Sequence, residues 1–79
     1  MFCIYFLGNL AASLGSTLCF EVSECRDVLA FLEELLRSRG ELLSVDELLA
    51  TLPDGRPLPP KATTCDIGEI RVLRLLKGG

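Results

Sequence analysis

The chain has no histidine among its 79 residues, and that one absence removes several chemistries. A Ser-His-Asp or Cys-His site needs an imidazole to take and return a proton, so neither can be built from this chain alone. The common zinc sets use histidine or C-x-x-C pairs. The four cysteines, Cys3, Cys19, Cys25 and Cys65, contain no such pair, so no metal is expected. Lysine is nearly missing: Lys61 and Lys77 are the only two, and the formal net charge is −3. That balance disfavours nucleic-acid phosphates and anionic membranes as partners. No Gly-rich loop joins a strand to a helix in the P-loop pattern, so no bound nucleotide or other cofactor is expected. Charge of either sign is absent before Glu21, which raises the question of a secretory leader. Against one, there is no basic n-region, and Gly8, Asn9, Ser13, Gly15, Ser16 and Thr17 interrupt the apolar run. The same breaks make a bilayer span a poor fit. A soluble, cytoplasmic protein is the expectation.

What the chain has in quantity is apolar side chain: 49% of residues, with a mean hydropathy of +0.42. A domain of this length buries only about 60% of its unfolded surface, but such a composition can fill a core without a metal. An even number of cysteines permits disulfides. In a leucine-rich chain with a real core, however, buried reduced thiols are the expected state.

The local patterns are legible in order. Residues 2–7 are aromatic and β-branched and read as a strand. Gly8-Asn9 breaks it, Leu10–Leu14 makes one helical turn, and Thr17–Val22 returns as a strand with Leu18, Phe20 and Val22 on one face. Ser23 is the expected N-cap of the main helix, with Glu24 and Asp27 in its first turn. Val28, Phe31, Leu32, Leu35 and Leu36 give that helix one apolar stripe, and Gly40 is a natural residue to follow its end. Cys25 near the helix start is a candidate for a lowered thiol pKa, set against the commoner half-buried, inert cysteine. Ser44-Val-Asp-Glu47 matches a capping box, while 48–52 reads as a strand entering the Pro53-Asp54-Gly55 turn. Pro57, Pro59 and Pro60 confine the next segment to an edge or an extended loop. Glu69–Leu76 is the last strand, and it runs directly into Lys77-Gly78-Gly79.

A hairpin followed by a helix can bury the helix stripe only against one face of a sheet, with the last strand beside and parallel to the first. That is a β-grasp arrangement: α+β, a mixed sheet of four to five strands with one main helix on one face. Residues 1–76 form the domain and 77–79 a bare tail without a preferred conformation. The period of two places Ile4, Phe6, Leu18 and Phe20 toward the helix. Tyr5, Leu7, Arg71, Leu73 and Leu75 are left together on the open side, a candidate docking surface. The competing expectation is that 44–47 or 57–64 fold over it, or that it pairs in a homodimer.

Three stretches carry a family resemblance: Ile4–Gly15, Asp54-Gly-Arg-Pro57 with Asp66–Ile70, and Lys77-Gly78-Gly79. Together they resemble the ubiquitin-like sulfur carriers, of the molybdopterin synthase small-subunit and thiamine-pathway type. The resemblance implies that Gly79, reached through Gly78, is activated by a partner enzyme that adenylates it with ATP. It further implies conversion to a thiocarboxylate for molybdopterin, thiamine or tRNA thiolation. The chain would then be a co-substrate with no catalytic residues of its own, docked through Tyr5, Leu7, Arg71, Leu73, Leu75 and Lys77. Arg74–Lys77 reads more like the basic, leucine-rich tail of ubiquitin, which keeps open a protein modifier joined through Gly79 to lysines of targets. A non-covalent ubiquitin-like binding module is the third reading.

Overall fold

A computed structural model describes residues 1–75. Its elements are β1 (Phe2–Phe6), α1 (Asn9–Leu14), β2 (Thr17–Phe20), α2 (Val28–Ser38), β3 (Leu48–Thr51) and β4 (Glu69–Arg74). The four strands form one mixed sheet in the order β2-β1-β4-β3. β1 pairs antiparallel with β2 and parallel with β4, and β3 pairs antiparallel with β4. The last strand therefore lies beside the first and parallel to it, as the hairpin-helix order predicts. The expected tail, Lys77, Gly78 and Gly79, lies outside the described residues.

The core sits between α2 and one face of the sheet. Phe2, Ile4 and Phe6 alternate inward along β1, Ile70 and Val72 do so along β4, and Val28, Leu32, Leu35 and Leu36 meet them from α2. Leu10 and Leu14 from α1 close one end. Residues 2–20 thus supply much of the core and belong to the folded body. The helix stripe is the predicted one, with Phe31 at its margin making edge-on contacts to Phe2 and Phe20 at centroid distances of 5.5 and 5.2 Å. No helix among the described residues is long and apolar enough to cross a membrane.

The start of α2 differs from expectation. Its N-cap is Asp27, whose carboxylate accepts from the Ala30 N–H at 2.9 Å, rather than Ser23. Residues 24–27 are drawn instead into pairing with the segment before β4. Thr64 N–H donates to the Arg26 carbonyl at 2.8 Å, Val28 N–H to the Ala62 carbonyl at 3.0 Å, and Asp27 bridges Thr63. These long-range backbone bonds outcompete one more helical turn. At the other end Gly40 has φ 76°. The Glu41 N–H bonds the Leu36 carbonyl and the Gly40 N–H the Arg37 carbonyl, the double closure of a Schellman stop.

Ser44 precedes only a single 3-10 turn, Val45–Glu47, and makes no side-chain capping bond. The segment is too short for a capping box to matter, because β3 takes over at Leu48. Past the Pro53–Gly55 turn the chain lies along the outer edge of β3, with Leu52 N–H bonded to the Arg56 carbonyl and Leu58 N–H to the Ala50 carbonyl.

The expectation of free thiols is overturned. Cys3 is bonded to Cys19 and Cys25 to Cys65. The period of two that sends Phe2 and Ile4 inward sends Cys3 outward, directly opposite Cys19 in the ladder. The pairing of 26–28 with 62–64 brings Cys25 against Cys65. Topology, rather than a shortage of core, makes these pairs. Cys25 is consequently neither an activated thiolate nor a half-buried free thiol; it is exposed and disulfide-bonded.

Candidate functional site

The sheet face turned away from α2 is built in rows. Parallel register sets Tyr5 beside Arg71, and antiparallel register sets Thr17 on one side of that pair and Thr51 on the other. One step along, Leu73 of β4 faces Leu49 of β3, and the ladder continues to Leu7, whose N–H bonds the Val72 carbonyl at 2.9 Å. One step back, Cys3 and its bonded partner Cys19 stand beside Glu69. The face thus grades from a leucine row, through a Tyr–Arg row, to a disulfide flanked by a carboxylate.

The structure brings Tyr5, Leu7, Arg71 and Leu73 together as their strand periods predict. Leu75 follows at the end of β4, where its N–H bonds the Glu47 carbonyl at 2.8 Å. Leu7, Leu49 and Leu75 keep 44%, 37% and 40% of their surface exposed. Neither the 44–47 turn nor the 57–64 segment covers them, since the latter is committed to the outer edge of β3 and to residues 26–28. Lys77, Gly78 and Gly79, the remaining predicted site residues, lie outside the described region.

Leu49 is the member of this face that sequence reasoning missed. The run Leu48-Leu-Ala-Thr-Leu52 has no alternation to separate inside from outside, so only its register against β4 reveals that Leu48 is buried and Leu49 exposed.

Tyr5 is the one group here with a shifted titration. The Glu69 carboxylate on the neighbouring strand, by hydrogen-bonding tendency and by charge, raises the phenol above its ordinary value of 10.0; Arg71 opposes this weakly. Near neutral pH Tyr5 therefore carries its proton. No group of three or more potential metal ligands occurs among the described residues. With a phenol, a guanidinium, a carboxylate, two threonines and a row of leucines, this face offers both apolar and polar groups to another surface.

No model of a known protein family matches the chain, and no curated protein is significantly similar to it.

Proposed function

We propose that this α+β domain is a β-grasp, ubiquitin-like sulfur carrier of the molybdopterin synthase small-subunit and thiamine-pathway type. The observation that carries the reading is the placement of β4. It lies in the middle of the sheet, parallel to β1, presents Leu73 between Leu7 and Leu49, and ends at Arg74, five positions short of Gly79. A partner gripping the open face would hold the strand that the last residues follow in sequence. Two glycines without side chains then suit a narrow active site in that partner. The chemistry belongs to the partner. The Gly79 carboxylate attacks the α-phosphorus of ATP, pyrophosphate leaves, and the acyl-adenylate gives up AMP to a sulfur nucleophile at the oxidation level of hydrosulfide, leaving a thiocarboxylate. The domain contributes position: a rigid head that makes the reaction of its own end effectively intramolecular once docked. Such an ATP-dependent partner places the reaction in the cytoplasm. Disulfides persist there in hyperthermophiles and are uncommon in other cytosols.

The reading requires Gly79 to bear a free carboxylate. Intact-mass analysis of the protein from its native cells tests this directly. The expected result is a species ending at Gly79 and carrying the increment of one sulfur in place of one oxygen. A chain continuing beyond Gly79, or unchanged use by the cell when one residue is appended after it, overturns the proposal.

The two disulfides favour a second reading, a non-covalent binding module working in an oxidising compartment through the same leucine row. Under that reading deletion of Gly79 leaves binding unaltered. Conjugation to target lysines, the third possibility, predicts Gly-Gly remnants on lysines of other proteins after tryptic digestion.

A further inference from the structure

The two edges of the sheet are treated differently. Beyond β3 the chain folds back along the strand, and Leu52, Ala50 and Thr51 are paired there with residues 56–58. Beyond β2 none of the described residues does the same. The ladder orientation can be read from its neighbours: Phe6 N–H bonds the Ser16 carbonyl across to β2's end, while Cys3 and Leu7 N–H point the other way, to Gly68 and Val72 of β4's side. Even-numbered residues of β1 therefore face β2, and the antiparallel register makes Leu18 and Phe20 the hydrogen-bonded members of β2. The Cα separation of 4.0 Å between Cys3 and Cys19 suits the closely spaced, non-hydrogen-bonded position. The N–H and C=O groups of Thr17 and Cys19 consequently point out of the sheet. Among the described residues no hydrogen bond is made to them.

Open edges are normally blunted by lysine, proline or a bulge. Thr17-Leu-Cys-Phe20 has no charge and no proline, and a covalent bond clamps its third residue to the sheet. The clamp prevents fraying and so removes ordering entropy that a partner strand would otherwise have to overcome. We propose that β2 pairs antiparallel with β2 of a second copy of this chain, joining two sheets into one of eight strands about a two-fold axis.

The choice of a second copy rests on self-complementarity. Side chains opposite one another in an antiparallel pair share a face, and the outward-pointing groups belong to Thr17 and Cys19. Of the registers these groups allow, the one with its axis at Cys19 sets Leu18 of each copy opposite Phe20 of the other and so covers both apolar side chains. Both are half-buried in the single copy, so pairing covers apolar surface on the helix side. Glu21 of one copy meets Thr17 of the other, so no two carboxylates oppose each other despite the net charge of −3. This interface leaves the Leu7–Leu73–Leu49 row free and does not depend on the proposed activity.

Sedimentation equilibrium across a concentration series, on oxidised protein, tests the pairing, with amide exchange at Thr17 and Cys19 as a site-specific readout. The expected result is a reversible rise from monomer to dimer mass, with slowed exchange at both amides. Thr17→Pro removes an outward N–H that β1 does not use, and Leu18→Lys places charge at the apolar pair. Each is expected to weaken association at least tenfold while the circular dichroism stays native. The Cys3→Ser/Cys19→Ser double variant, checked for folding in the same way, is expected to weaken it several-fold by freeing the strand. A protein that stays monomeric at millimolar concentration overturns the proposal. So does a dimer that survives both Thr17→Pro and Leu18→Lys, or one whose protected amides lie on another element.

Discussion

Tyr5 is the only tyrosine, and the chain has no tryptophan, so its ionisation can be followed by ultraviolet absorbance without interference. Glu69 raises the phenol above 10.0 in the native state. A group whose folded pKa is raised binds its proton more tightly when folded. Its contribution to stability is therefore present below the unfolded value and is lost as pH rises through the folded one. Titration of the native protein should give a midpoint above 10.0, and Glu69→Gln should move it down toward the ordinary value; an unmoved midpoint would show that Glu69 is not the cause. Thr64 offers a second residue-scale test. It is the buried polar side chain among the described residues, only 4% exposed. Its hydroxyl accepts from the Arg26 N–H at 3.1 Å and lies within 3.3 Å of the Glu24 carbonyl as donor. Thr64→Val keeps the shape but strands the Arg26 donor, and should cost about 1–2 kcal/mol in urea unfolding, with Thr64→Ser recovering the hydrogen-bond part of the loss.

Among the elements, α2 and β4 were the most readable and β3 the least. The α2 stripe from Val28 to Leu36 and the Gly40 stop are local patterns, set by a period of 3.6 and by one positive φ, and both appear in the structure. Its first turn was misread because Ser23 and Asp27 are equally good caps. The decision between them came from backbone bonds to residues 34 and 38 positions away, Val28 to Ala62 and Thr64 to Arg26. β4 carries most of the weight in the proposed sulfur-carrier reading, since Leu73 is the middle of the open leucine row. Leu73→Asp places a charge there while leaving Ile70 and Val72 in the core. We expect a native circular dichroism spectrum together with loss of activation by an adenylating partner. Full activation of the variant would show that the partner grips elsewhere.

The described residues form α2 against one sheet with α1 at one end, and both disulfides lie outside the core. They close loops with sequence separations of 16 and 40, for which chain entropy predicts up to about 3 and about 4 kcal/mol of stabilisation respectively. Cys25→Ser/Cys65→Ser should accordingly lose more in guanidinium unfolding than Cys3→Ser/Cys19→Ser. Both double variants should still unfold in one cooperative transition, because the apolar cluster is untouched; two separated transitions would contradict that. At this scale the division between chain and fold is plain. Composition and periodicity by themselves determined the fold class, the parallel neighbourhood of first and last strands, and the side of the sheet on which Tyr5, Leu7 and Leu73 stand. They do so because alternation and helical spacing are properties of adjacent residues. Which cysteines meet, where α2 begins, which of Leu48 and Leu49 is exposed, and which sheet edge is left open were decided only by tertiary structure. Each depends on the register between segments far apart in sequence, and register is settled when whole faces are buried together.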